Sequence, residues 1–321
     1  MASPRSRLYS RIVVATAAAL LTAGCGPSKP PPTPPTGAGG TATAGTDTEL
    51  RYAASVPLDQ SLQVELTHTS LGMYLEAKID VQARQTLTAA GGQLKAGWQV
   101  QTLQTLELEG TADAKEIERT RSLITDHGAG TTLIDARGLV DIAGTEADPT
   151  NEERLQAQDD AAKKSPAGAL LATVLFDELG LPRLPDQPLR MEQPFEFEEE
   201  TETVVTDLEQ TLPTTTLYRF TLRRIDQTGL AEIAIERASV AELDEDPAAP
   251  ADEEAEAASD EEAEEEAAPY VRMETKSEGT LLFDPARGLP VRLELNRTER
   301  FLIGEEEVER NIVVRSTYEV P

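Results

Sequence analysis

Cysteine occurs once in the chain, at Cys25, so no intramolecular disulfide can form and the fold must be held by its core. Histidine occurs twice, at His68 and His127, far apart in sequence, which leaves no His-rich metal motif. Aromatic residues make up 4% with a single Trp, too few for a platform that stacks on sugar rings. Lys and Arg number 29 against 58 Asp and Glu, for a formal charge of −29. A surface of that sign repels nucleic acid and anionic lipid. G-x-S-x-G, H-E-x-x-H, P-loop and dinucleotide fingerprints are all missing. No catalytic residue, cofactor or metal is therefore read from the chain, and the expectation is a protein that is not an enzyme.

Apolar runs are scarce as well. Ile12–Leu21 is about ten residues long, too short to cross a ~30 Å hydrocarbon layer as a helix. Arg5, Arg7 and Arg11 precede it and Leu21-Thr22-Ala23-Gly24-Cys25 follows. Basic, apolar and small-residue regions in that order form a secretory leader, and with Cys25 directly after Ala23-Gly24 the stretch resembles the lipobox of a bacterial lipoprotein. The pattern departs at one place: the Leu usual three positions before the cysteine is Thr22 here, with Leu21 one place earlier. The resemblance implies that residues 1–24 are a signal peptide and that Cys25 is acylated and anchors the chain to a membrane. Gly26, where an Asp is associated with inner-membrane retention, implies the periplasmic face of the outer membrane or the cell surface. Loss of the three leader Arg takes the charge from −29 to −32.

Residues 25–48 continue the anchor as a tether. The run GPSKPPPTPPTGAGGTATAGTDT is Pro-rich and extended, then Gly/Thr/Ala-rich and flexible, with too little apolar surface to fold.

Alternation then dominates. In 49–145, Leu62, Val64 and Leu66 oppose Gln63, Glu65 and Thr67, and Met73 to Val81 repeat the pattern. A period of two denotes antiparallel strands with one wet face. Trp98 and Val100 open a strand to Leu108 whose apolar register shifts between Leu103 and Leu106, which predicts a bulge. Ile117, Thr120, Arg121 and Ile124 have helical spacing, stopped at Gly128, and a hairpin over 131–142 turns near Arg137-Gly138. The segment 146–185 reads as a helical connector. Asn151 caps an exposed, weak helix with Leu155 as its one large apolar residue. After Pro166, the apolar run Ala169–Phe176 predicts a buried helix packed across the concave side of the sheet.

Residues 186–321 read as a second meander. Strands are expected from Phe195, at 201–210, 214–225 and 229–241, with a hairpin at Asp226–Gly229, and at 270–284, 289–303 and 305–319. Residues 242–268 interrupt it. Glu242 to Glu266 hold fourteen Asp and Glu without one basic residue, a solvated, disordered composition that lacks the D-x-D-x-D-G spacing of a calcium loop. An internal echo links the halves. Gly130–Leu139 and Gly279–Leu289 share Gly-Thr, an apolar pair, Asp and Arg-Gly-Leu, as strand–turn–strand units. His68, at a strand end, and His127, at a helix end, read as capping or surface residues, and Glu196/Glu198 as alternating acids on a strand's outer face. Asn296-Arg297-Thr298 matches a glycosylation sequon of little weight in a bacterial lipoprotein.

The fold class expected is mainly β with α (α+β): a curved antiparallel sheet or half-barrel from two β-meanders, with a central apolar helix. The lipobox, the tether and that architecture together resemble bacterial envelope lipoproteins, and the sheet with its helix is loosely similar to the half-barrel lipoprotein-localisation carriers. The similarity implies a non-enzymatic binding or carrier module for a hydrophobic ligand, attached to the membrane through Cys25, with no nucleic-acid partner. A structural or assembly lipoprotein that meets another envelope protein, and a carboxylate-dependent hydrolase, are the alternatives.

Overall fold

A computed structural model describes residues 47–55, 57–110, 112–141, 145, 148–205, 210–243, 271–303 and 306–321. Cys25 and most of its tether, and the acidic run beyond Leu243, lie outside the described residues. The chain is mainly β, and the described residues form one large open antiparallel sheet and three helices.

The first meander is β1 (Leu58–Ser70), β2 (Met73–Ala90), β3 (Gln93–Gly110), β4 (Ala129–Ile134) and β5 (Val140–Asp141). The second is β6 (Pro194–Val205), β7 (Gln210–Ile225), β8 (Ala231–Leu243), β9 (Val271–Asp284), β10 (Leu289–Ile303) and β11 (Glu306–Glu319). Their spatial order is β5-β4-β3-β2-β1-β11-β10-β9-β8-β7-β6. Each meander is thus laid down in chain order, and pairing of β1 with β11 from Asp59↔Glu319 to Thr69↔Glu309 fuses them in the middle. The buried alternation of Leu62, Val64, Leu66 and His68 sets that register, because a slip of one would turn the whole set to solvent.

Several details differ from expectation. The ladder skips Gln104 and also Gln101, so two bulges accommodate the shift in β3. The separate strands expected from Phe195 and at 201–210 are a single β6, which pairs with β7 from Pro194↔Thr221 to Val205↔Gln210. Pro213 is tolerated inside β7 because the β8 ladder starts only at Thr214↔Ala241, beyond it.

The sheet curls. Tyr52 N donates to Ala136 O in the β4–β5 turn at 2.6 Å, and Ala53 N donates to Gly288 O in the β9–β10 turn at 3.2 Å. Strands β4 and β10 are five places apart, ~24 Å on a flat sheet, yet consecutive residues reach both turns. Arg183 ties still more distant parts together. Its Nη1 donates to Arg137 O at 3.3 Å, and its guanidinium lies 5.4 Å from the ring centre of Phe197 on the opposite edge strand, β6.

Helix α1 (Ala114–His127) begins at Asp113, whose Oδ1 accepts from Glu116 N at 2.8 Å. It covers β3 beyond the end of the β4 ladder, where Val100 N bonds Gly128 O. Helix α2 (Pro149–Ala162) is capped by Asp148, not by Asn151. Asn151 is buried instead, accepting from Thr131 N and donating to Thr131 O and Thr145 O, so the helix docks on β4 through polar groups while Leu155 stays exposed. Helix α3 (Pro166–Glu178) is held at both ends: Glu116 Oε1 accepts from Ala167 N at 3.1 Å, and Gln85 Nε2 donates to Leu179 O at 2.6 Å just past its end. Leu171, Leu175 and Phe176 of α3 pack with Val64, Ile79 and Trp98, and Phe176 stacks on Trp98 at 5.4 Å. Among the described residues no helix is long and apolar enough to cross a membrane.

Candidate binding cavity

Helix α3 has two working faces. Leu171, Leu175 and Leu179 meet the first-meander core, whereas Leu170, Thr173, Val174, Asp177 and Glu178, spaced as one helical stripe, wall a cavity of about 330 Å³. The opposite wall is the inward face of β7 to β11. The space beside this helix is therefore packed core on one side and open on the other.

The register builds the sheet wall in layers. His68, Arg310, Glu299, Thr275, Ser239 and Thr216 face each other in a row across β1, β11, β10, β9, β8 and β7. The next row carries Arg297, Ser277, Arg237 and Tyr218. Apolar clusters flank this polar belt, with Leu293, Ile235 and Phe220 on one side and Met273, Phe301 and Leu212 on the other.

A chain of ion pairs crosses the belt. Glu178 Oε1 lies 2.7 Å from Arg297 Nη1, Arg297 Nε is 3.0 Å from Glu299 Oε1, and Glu299 Oε2 is 3.4 Å from Arg310 Nη1. Arg297 Nε is close to Glu299 without the alignment of a hydrogen bond, and it has no other partner. Arg310 also lies 4.6 Å over Phe301, and its Nε donates to His68 Nδ1 at 3.2 Å. That bond assigns the His68 proton to Nε2, 3.2 Å from Ser70 Oγ. Burial and the Arg310 charge hold His68 down to about 4 against the pull of Glu299. Burial opposes the Arg297 charge, but Glu178, Glu299 and Asp177 more than offset it and raise its pKa. Burial pushes Asp177 up to about 6, with Arg297 and Arg154 resisting and Glu178 and Glu299 assisting. The Asp177 carboxyl is hemmed in by protein yet water-accessible, because it lines the cavity.

Arg237 differs from its neighbours. Its guanidinium lies 5.6 Å over the Tyr218 ring, and its Nε is buried without a hydrogen-bond partner. Beside it Thr216 Oγ1 and Ser239 Oγ are 3.0 Å apart, so whichever hydroxyl donates, the other keeps a free O–H.

Of the residues singled out in the sequence, His68 alone joins this site, and it is buried, not the surface or capping residue expected. His127 is exposed at the end of α1. Glu196 and Glu198 are exposed on the outer face, Glu196 3.2 Å from Arg219. Asp177, Arg237, Arg297, Glu299 and Arg310 were not anticipated. A signal existed: in Leu293-x-Leu295-x-Arg297-x-Glu299-x-Phe301 the charges occupy the inward parity of the strand, as do Arg237 after Ile235 and Arg310 before Ile312. Among the described residues no group of three His, Cys, Asp or Glu is placed to hold a metal ion. No family model matches the chain, and no curated protein matches it.

Proposed function

We propose that the protein is a lipid-anchored envelope module, acylated at Cys25, that binds one small amphipathic molecule in the cavity beside α3. In this reading the sheet is a half-barrel, α3 is its central helix, and the protein carries or presents its ligand at the periplasmic face of the outer membrane or the cell surface. The observation that supports it is the layering of the cavity: a belt of hydroxyl and charged groups between two apolar clusters, matched to a molecule with a polar head and an apolar body. At about 330 Å³ the space is near the lower end of the ~300–1,000 Å³ range of small-molecule sites, which suits a single short chain and not a two-tailed lipid. Binding is favoured over catalysis because Glu178 and Glu299 are each engaged with a buried guanidinium, which leaves Asp177 without a second unengaged carboxylate to form an acid–base pair in the cavity.

The ends of the molecule fit an anchor on one side. Asp47, the first described residue, is 2.9 Å from Arg190, and Thr48 bridges Leu189 at the end of the sheet that holds the β4–β5 and β9–β10 turns. The acidic run leaves β8 at Leu243 and re-enters β9 at Val271, at the other end.

The test is a Cys25→Ser chain purified without detergent. It is expected to leave the membrane fraction, keep the fold, and carry an extractable apolar molecule or take up a fluorescent single-chain amphiphile. A variant that stays membrane-bound at wild-type mass removes the anchor, and a folded variant that takes up no amphiphile removes the carrier role. A second reading, a structural or assembly lipoprotein, draws on Leu217 and Val240, exposed on the outer face of β7 and β8. Crosslinking from position 217 in cells would then trap one specific envelope protein.

A further inference from the structure

We infer that the cavity ligand carries a single negative charge, a carboxylate, and that Arg237 is its seat. This rests on the reading of the cavity as a ligand site.

Arg183, Arg237, Arg297 and Arg310 line the cavity beside Asp177, Glu178 and Glu299, a concentration of guanidiniums unusual in a protein of formal charge −29. Three of the four guanidiniums have carboxylates within ion-pair distance: Arg183 with Asp186 at 2.7 Å, Arg297 with Glu178 and Glu299, and Arg310 with Glu299. Arg237 has none among the described residues. Glu199, on β6 across Tyr218, is engaged with the Tyr218 hydroxyl. A guanidinium held away from bulk water with its charge uncompensated is costly, and an anion supplied from outside relieves that cost.

The geometry selects the kind of anion. Arg237 Nε is buried and lacks a hydrogen-bond partner, and a carboxylate that reaches the Nε edge of a guanidinium satisfies it through two parallel hydrogen bonds. The spare hydroxyl of the Thr216–Ser239 pair, and Ser277 directly opposite Arg237 in the register, provide further donors. A single guanidinium without a carboxylate partner matches a monoanion, whereas a phosphate monoester would bring nearly twice the charge. The tail then has Phe220, Ile235 and Leu295 on the sheet and Leu170 and Val174 on α3 to lie against. The ligand class is a short single-chain carboxylic acid.

The experiment is calorimetric titration of the Cys25→Ser chain at pH 7.5 with decanoate, decanol, decylamine and decyl phosphate, which share one tail. Decanoate is expected to bind at least about tenfold tighter than each of the others, the scale of one charge-assisted hydrogen-bond pair. Arg237→Gln is expected to bring decanoate down to the affinity of decanol and to leave decanol unchanged. Arg237→Met, which keeps much of the side-chain volume, is expected to give the same result. Equal binding of decanoate and decanol by the parent chain overturns the anionic head and leaves the cavity as a ligand site. Tighter binding of decyl phosphate overturns the monoanion. A decanoate preference that survives in both variants overturns Arg237 as the seat. Failure of all four probes overturns the ligand site itself, and with it this inference. The comparison of head groups on the parent chain does not depend on any variant folding.

Discussion

His68 stands at one end of the buried ion chain and Asp177 beside Glu178 at the other, and protons act on them with opposite sign. His68 titrates at about 4 in the fold against 6.5 as a free side chain, so the unfolded chain takes up the proton first. Its contribution to stability is full above 6.5 and is lost as pH falls toward 4, by roughly 3 kcal/mol over the whole window. Asp177 is raised from 3.8 to about 6, so its ionised form burdens the fold. That burden is absent below 3.8 and complete above 6; as the carboxyl is water-accessible, it amounts to about 1 kcal/mol, well under what the shift alone would imply. Urea unfolding of His68→Gln, which keeps an acceptor for Arg310, is expected to lose much of the fall in stability between pH 7 and pH 5. Asp177→Asn is expected to gain about 1 kcal/mol at pH 7.5 and little at pH 4. A pH slope unchanged in His68→Gln would detach His68 from this account. The charges behind these shifts were legible one residue at a time, as polar side chains at inward parity of β8, β10 and β11. Their meaning was not, because Arg310 reaches His68 across 242 residues of sequence through a strand pairing that no local pattern encodes.

Elements show the same division between local and distant causes. The stop of α1 at Gly128 and the turn at Asp226–Gly229 were legible, since Gly229 has φ 87 and Asp226 Oδ1 accepts from Thr228 N and Leu230 N. The cap of α2 was not. Asp148 and Asn151 are equally good caps by type, and what decides between them is that β4 needs Asn151 for Thr131. The two faces of α3 were hidden for a related reason: its sequence is apolar nearly all round, and the cavity side is marked only by Thr173, Asp177 and Glu178 toward its C-terminal half. Close approach to α1 fixes the position of this helix. A Cβ on Gly168 would stand 2.0 Å from Thr120 Oγ1 and 3.2 Å from Thr120 Cβ. Gly168→Ala should therefore cost about 1–3 kcal/mol despite the better helix propensity of Ala, since the packing overlap outweighs the ~1 kcal/mol intrinsic gain. Thermal unfolding checks it, and Thr120→Ala in the same chain is expected to recover part of the loss. A more stable Gly168→Ala would mean that the two helices are not in firm contact.

At the scale of the molecule, the β1–β11 pair makes the first and last strands the centre of the sheet, so the fold depends on both ends of the described chain and little on what joins β8 to β9. The ladder of those two strands runs to Leu243↔Val271, and Glu242 lies 3.7 Å from Arg272 next to it. The hairpin therefore keeps its register up to the point where residues 244–270 begin, whatever their length. Those residues hold thirteen Asp and Glu and no basic side chain, so their removal takes the formal charge from −29 to −16. Closing a long loop costs entropy that grows by about 0.6 kcal/mol per doubling of length, and like charges crowded at one end add repulsion that salt screens. Replacement of 244–270 by Asn-Gly, whose turn matches the twist of paired strands, is expected to raise stability by about 2 kcal/mol, with a larger gain at low ionic strength. Amphiphile uptake should be unchanged, because the described residues that line the cavity all lie outside the excised run. Urea titrations at two salt concentrations would measure both effects. A destabilised or aggregated variant would show that the acidic run supports the sheet, and a stable variant that no longer binds would place it in the path of the ligand.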